Sequence, residues 1–251
     1  MTSEKSADGA ELGMDAVCRF SGHLAHELNN LLTPIIACGQ MLCDGISKND
    51  PLYFCAEQIA DAGERCLGLS RKLQIIGSRR TSGHVMDITS LVQDVLHSVV
   101  LPSDRTIVIE EELAKTSSAG SLLVKVDMEQ FRFLINELIA NAVDAMPQGG
   151  SIRINVEVAE PSETGGASGG ARGWVAVAVQ DEGTGMTPDI VARMYEPYFS
   201  SHGQERDKGL GLTLVYGIVR RAGGVIECDT SPGAGTTFRV YFPLQMEAGA
   251  A

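Results

Sequence analysis

Two apolar stripes near the start of the chain constrain its fold more than any other feature. Leu24, Leu28, Leu31, Ile35, Cys38 and Leu42 recur at intervals of 4, 3, 4, 3 and 4 residues. That spacing keeps side chains on one face of a helix that packs along a neighbour. A run dense in turn formers follows, Asp44-Gly45-Ile46-Ser47-Lys48-Asn49-Asp50-Pro51, where the first helix is expected to end. A second stripe then begins: Leu52, Cys55, Ile59, Ala62, Cys66, Leu69, Leu73 and Ile76, spaced 3, 4, 3, 4, 3, 4 and 3. Residues 15–80 are therefore expected to fold as a helical hairpin, after a polar leader over 1–14 read as disordered. Two helices alone cannot cover seams this regular, so a homodimer is expected, its two hairpins closing a four-helix bundle. Cys38, Cys55 and Cys66 lie on the seams and are expected to act as small buried apolar side chains.

Composition narrows the function. With 251 residues, 44% of them apolar and 21% charged, the chain can bury one large core or two modest ones. Its net charge of −12 argues against nucleic-acid binding, which rests on clustered Lys and Arg. No stretch approaches the roughly 18 apolar residues of a membrane span, and the first residues lack the basic-then-apolar order of a signal peptide. The six cysteines form no CxxC pair or zinc-like spacing. A cytoplasmic protein in a reducing compartment is expected.

From Gly77 to Gly83 the run GSRRTSG loses its periodicity and reads as a linker. A second domain, of mixed α+β class, is expected over 84–246, with a tail at 247–251. Helices are expected over Ser90 to Val100, from Asp127 with Gln130 in a capping-box position, and over 211–222. Strands are expected at Ile107 to Glu111, Ile152 to Val158, Trp174 to Gln180, Val225 to Asp229 and Thr236 to Phe242. The Gly- and Ser-rich PSETGGASGGARG between two of these strands reads as a surface loop.

Four clusters carry chemistry. On the first helix stands Gly22-His23-Leu24-Ala25-His26-Glu27-Leu28-Asn29-Asn30. At 100° per residue His26 falls about 160° from the centre of the stripe and is expected to face solvent, with Asn30 one turn along. An imidazole of ordinary pKa keeps a lone pair for attack on phosphorus. Glu27 could hold the proton of the other ring nitrogen, and Asn30 could orient a water. Taken alone, an exposed His beside Glu is more often plain surface, as His23, His84, His97 and His202 are read to be. The second cluster is Asn136-Glu137-Leu138-Ile139-Ala140-Asn141, where Glu137 and Asn141 share a helical face and offer hard oxygen ligands suited to Mg²⁺. A capped amphipathic helix with incidental polar groups is the competing account.

The third cluster, Asp181-Glu182-Gly183-Thr184-Gly185-Met186, follows a strand. An Asp there can accept from an exocyclic amine such as adenine N6, with glycines admitting the ring, although a simple turn fits as well. The fourth, Lys208-Gly209-Leu210-Gly211-Leu212, enters a helix whose N-terminal N–H groups can bind phosphate. It is not a P-loop, because no Gly-Lys-Ser/Thr follows.

In this order the clusters resemble the H, N, D-x-G-x-G, F and G-x-G boxes of sensor histidine kinases, with Glu196-Pro197-Tyr198-Phe199 as the F-box and GTTFRVYFPL closing the domain. The likeness runs from about residue 15 to 244. It implies a dimerisation and phosphoacceptor hairpin followed by a Bergerat-type α/β sandwich that binds ATP and Mg²⁺. It further implies His26 as phosphoacceptor, Glu27 as its acid/base partner and Asn30 as the phosphatase residue. Asn141 would bind the metal with Glu137 assisting, Asp181 would recognise adenine, and Gly183, Gly185, Gly209, Leu210 and Gly211 would shape the pocket. Phe199 would anchor a lid, and Arg206 or Lys208 would neutralise phosphate charge. A response regulator would receive the phosphoryl group, and the sensing input would come from another protein or the short leader.

Three departures stand out. Leu31 occupies a place where the family often has proline, with Pro34 a turn later, so the helix bend should be displaced. His202 and Asp207 replace a common Lys and Gly of the lid, and added negative charge there opposes triphosphate binding. Two other readings stay open: a phosphotransferase or scaffold that has lost ATP turnover, and a Bergerat-fold ATPase using Glu137 as base.

Overall fold

A computed structural model describes residues 24–25, 27–77, 83–113, 121–162, 173–197, 199 and 209–245. The chain divides into two units, Met1–Arg80 and Thr81–Ala251. Among the described residues no helix is long and apolar enough to cross a membrane.

The first unit is a hairpin of α1, helical over residues 27–45, and α2, Pro51–Gly77. Asp50 starts α2 by accepting the Leu52 N–H on its side chain at 2.8 Å, with Pro51 at the first helical position where its missing donor costs nothing. The helices meet along small residues. A Cβ on Gly63 would stand 2.5 Å from Ile36 Cγ1, and one on Gly39 would stand 3.1 Å from Ala60 Cβ. The buried Ser70 hydroxyl donates to the Ala25 carbonyl at 2.8 Å. Ile36 and Ala56 complete this buried line.

The line lies one residue round from the stripes that spacing picks out, which the two helices of one chain leave largely uncovered. Leu31 is 64% exposed and Leu52 62%. Ile35, Leu42 and Ile59 are exposed with them, as are Cys38, Cys55 and Cys66. The three thiols are thus not buried within the chain. One residue is 100° of helical rotation, and backbones approach closely only where side chains are small, so the hairpin closes on Gly39, Ala56 and Gly63. The larger apolar residues are left on its outer face.

The second unit is built on a five-stranded sheet of order β2-β4-β5-β7-β6. Its strands are β2 (Ile107–Leu113), β4 (Gly150–Val158), β5 (Trp174–Asp181), β6 (Val225–Thr230) and β7 (Thr236–Pro243). Only β2 and β4 run parallel; the other neighbours are antiparallel. Helices α3 (Ile88–Ser98), α4 (Met128–Ala145) and α6 (Gly211–Arg221) complete the layer pair, with α4 against β5 and flanked by α3 and α6. The α4 stripe Phe131, Leu134, Ile135 and Leu138 is buried, as are Val175, Val177 and Val179 of β5. Phe131 and Phe242 join α4 to β7 with ring centroids 5.9 Å apart. Asp127 caps α4 by accepting from Gln130 N at 3.0 Å, as the capping signal predicts. Asp87 caps α3 from Ser90 N at 3.0 Å and accepts Leu122 N at 2.9 Å.

Three elements lie outside the sequence expectations. Strands β1 (His84–Asp87) and β3 (Leu123–Val126) form a separate antiparallel ribbon, and a short α5 spans Pro188–Arg193. Four- and six-residue elements are too short to display a period.

Candidate nucleotide-binding site

Strand β5 ends at Asp181, a carboxylate only 7% exposed. Its Oδ1 accepts the backbone N–H of Gly183 at 2.8 Å and of Thr236 at 3.1 Å. Burial raises this carboxyl above the usual carboxylate range, and the two N–H groups oppose the shift by favouring the anion. Both of these bonds fall on Oδ1, which leaves Oδ2 to meet a donor from outside, such as the amine of a purine.

The loop after Asp181 passes under tight constraint. A side chain on Gly183 would stand 2.6 Å from Ala145 Cβ and 2.8 Å from Asp181 Oδ1. Gly185 has φ +63 and lies so close to the Ser231 carbonyl that a Cβ would overlap it. Thr184 N donates to Ala145 O at 3.1 Å, fastening the loop to the end of α4, while Gly233 N donates back to Thr184 O at 2.7 Å. Glu182 turns away and accepts Ser151 N at 3.2 Å. Cys228 of β6 is half-buried near Asp181, and burial, then the Asp229 and Asp181 charges, push its thiol up to about 12. It stays protonated and takes no part as a nucleophile.

Asn141 and Glu137 lie one turn apart on α4, both half-buried. Asn141 Nδ2 is buried with no hydrogen-bond partner among the described residues. Interchanging the two ends of a carboxamide costs nothing in shape and would turn that orphan into an oxygen, the atom a hard cation takes. The Glu137 carboxylate lies against Gly211, the first residue of α6, where a Cβ would overlap Oε2. A carboxamide with one unsatisfied atom and a carboxylate one turn away fit Mg²⁺, which needs few protein ligands when phosphate oxygens supply the rest. Among the described residues no cluster of three or more His, Cys, Asp or Glu could hold a metal by itself. The α6 N-terminus follows Gly209 and Leu210 and has no cap from the Leu210 side chain, and first-turn N–H groups of a helix are suited to phosphate oxygens.

Beyond α5 the chain is pinned to α6. The Arg193 guanidinium stands 4.4 Å over the Phe199 ring and bonds Glu196 at 3.0 Å. Thr213 Oγ1 of α6 donates to Tyr195 O at 3.0 Å, and the Tyr195 and Tyr216 rings lie 5.0 Å apart. Burial holds the Tyr195 hydroxyl far above the ordinary phenol range. Arg206, Lys208, His202 and Asp207 lie outside the described residues.

Residues 126–246 match the family described as histidine kinase-, DNA gyrase B-, and HSP90-like ATPase. Sensor kinase CckA of Brucella abortus is 33% identical over 238 residues, covering 93% of this chain and 25% of that protein. The chain belongs to the sensor histidine kinases. Sporulation kinase A of Bacillus subtilis is 27% identical over 222 residues, 88% of this chain and 33% of its own length, so the chain spans a third or less of either relative. Among solved structures, full-length ShkA in complex with AMPPNP shares the fold, with a TM-score of 0.66 at 19% identity over 91% of this chain and 46% of that one. Histidine kinase AdeS of Acinetobacter baumannii does so with a TM-score of 0.54 at 21% identity over 88% and 98%.

The structure gathers Asp181, Gly183 and Gly185 at one end of the sheet and sets Glu137 against Gly211. Phe199 lies beside Arg193. On the hairpin, His26 lies outside the described residues, while Glu27 and Asn30 are exposed on α1. The neighbouring Asn29 keeps a buried Oδ1 without a partner. Thr236, which aims Asp181, is missed by motif reading although it stands in the closing Gly235-Thr236 pair. Its signal is the register that seats it opposite Asp181, and pairing across strands is not written in local spacing.

Proposed function

We propose that this chain transfers the γ-phosphoryl group of ATP to His26 and passes it on to the aspartate of a response regulator, with a phosphatase activity that reverses the signal. The observation that carries the reading is Asp181: a buried carboxylate fixed by two backbone donors on Oδ1, with Oδ2 left for adenine N6. Charge-assisted bonds of this kind are strong and directional. The complex of ShkA with AMPPNP, an ATP-like ligand by name, lends support through the shared fold.

Around that anchor the other residues take defined tasks. Asn141 and Glu137 would hold Mg²⁺, which when bound would offset charge on the phosphates. The α6 N-terminus, opened by Gly209, Leu210 and Gly211, would receive phosphate oxygens on its N–H groups. Arg206 and Lys208 would add positive charge, and Phe199 would anchor the lid. The neutral ring nitrogen of His26 would attack the γ-phosphorus as the bond to the ADP oxygen breaks, and Glu27 would keep the proton on the other nitrogen. Asn30 would orient water for the reverse reaction. The outward apolar face of the hairpin, with Leu31, Ile35 and Ile59 exposed, supports a homodimeric four-helix bundle.

Incubation with γ-labelled ATP and Mg²⁺ tests the reading. Acid-labile label on the wild type that is lost in His26→Gln and Asn141→Ala is the expected result. Absence of nucleotide binding would instead favour a scaffold, and phosphate release without labelled protein an ATPase.

A further inference from the structure

Asp181, Thr236 and Thr230 stand in one row across three strands: Asp181 pairs with Thr236 between β5 and β7, and Thr236 pairs with Thr230 between β7 and β6. Directly paired residues raise their side chains from the same face of a sheet. The two threonine hydroxyls are therefore continuous with the carboxylate that faces the base.

The Thr230 hydroxyl has its hydrogen-bonding capacity filled. It donates to Gly235 O at 3.0 Å and accepts from Met186 N at 3.0 Å. Its third contact is with Thr236 Oγ1 at 3.1 Å, and one polarity of that bond lets all three contacts of Thr230 be satisfied together. A hydroxyl has a single proton, and with that of Thr230 on Gly235 O the donor to Thr230 is Thr236. With its own proton turned toward Thr230, Thr236 shows only lone pairs elsewhere, and Asp181 Oδ2 does the same.

We propose that Thr230 is a specificity-determining residue of the nucleotide site, acting by positioning. It locks the Thr236 hydroxyl so that the base meets an edge made only of acceptors. Where it meets the 6-substituent, such an edge welcomes the N–H groups of a 6-amino purine and repels the lone pairs of a 6-oxo purine. Thr230 also ties Met186 of the Asp181 loop to Gly235, so the same hydroxyl sets the spacing of the two segments that flank the base. The inference rests on the reading of this cleft as an ATP site.

The test is displacement of a fluorescent ATP analogue from the full chain, in Mg²⁺, by ATP and by inosine triphosphate. Wild type is expected to prefer ATP. In Thr230→Val the Thr236 hydroxyl is free to rotate and donate to a 6-oxo group, so the preference should fall by about tenfold, the worth of one well-formed polar contact. Thr230→Ser keeps the hydroxyl and should keep the preference. Should the valine variant lose its far-UV circular dichroism, Thr230→Ala, which removes the same bonds with less bulk, takes its place. An equal weakening for both nucleotides, or an unchanged ratio, overturns the role of Thr230 while leaving the ATP site standing. A wild type from which neither triphosphate displaces the probe overturns both.

Discussion

The backbone N–H of Thr236 bonds Oδ1 of Asp181 at 3.1 Å, so the first residue of β7 aims the carboxylate that ends β5. The sheet register thus joins the Gly183 N–H of the following loop, at 2.8 Å on the same oxygen, in setting the direction of this carboxylate. Rigid elements hold a functional side chain more accurately than loops do.

Asp181→Asn separates recognition from stability. An amide oxygen can still accept from Gly183 and Thr236, but the charge-assisted bond to an incoming amine is lost, and ATP affinity is expected to fall about a hundredfold. Stability should move the other way. The folded state raises the carboxyl pKa above 3.8, so between the unfolded and folded values the native protein binds more protons than the unfolded chain. Stability then falls as pH rises through that window, and above it Asp181 costs the fold free energy that Asn does not. Thermal melts of Asp181→Asn and wild type should favour the variant at pH 7 and converge as pH drops through the window; a variant less stable at pH 7 by several degrees would sink the claim.

Gly183→Ala tests how closely the loop passes α4. The added methyl would lie 2.6 Å from Ala145 Cβ and 2.8 Å from the Ala145 carbonyl, and neither can yield without moving the end of the helix. Overpacking of this kind costs about 1–3 kcal/mol. Chemical denaturation should show that loss, together with weaker nucleotide binding.

The long helices of the second unit were legible because Phe131, Leu134 and Leu138 repeat at helical spacing, and β5 because Trp174 to Val179 form an unbroken apolar run. The hairpin shows where such reading stops. Its stripes mark the outward face, while the contact between α1 and α2 is made by Gly39, Ala56 and Gly63, residues that carry almost no hydrophobic signal. Asp181 was visible in its motif, but Thr230 and Thr236 gain meaning only from register across three strands. Interactions between residues distant in sequence leave no local pattern to read.

Thr213→Val removes the hydroxyl that holds the Tyr195 carbonyl at 3.0 Å and keeps the side chain's shape. Among the described residues, the Tyr195 and Tyr216 rings then remain to fasten this segment to α6. If the residues that follow cover the nucleotide as proposed, loosening Tyr195 should raise the KM for ATP by roughly threefold to tenfold, about the worth of one neutral hydrogen bond, with kcat little changed. Steady-state phosphorylation at varied ATP reads both constants, and a fall in kcat at constant KM would contradict the assignment.

Ile59→Glu addresses the outward face of the hairpin without touching its inner line. Ile59 is exposed, and the α1–α2 contact runs through Ala56, Ala60 and Gly63, so helix content should be unaffected. If a second hairpin covers this face, the variant forces an unpaired carboxylate into an apolar seam, at a cost of several kcal/mol per dimer. Sedimentation should then show a dimer for the wild type and a monomer for the variant at micromolar concentration. Nucleotide binding by the second unit should persist, because Asp181, Asn141 and Thr236 all belong to that unit. A wild type that sediments as a monomer, with its apolar face open to water, would instead require those exposed leucines and cysteines to meet a different protein.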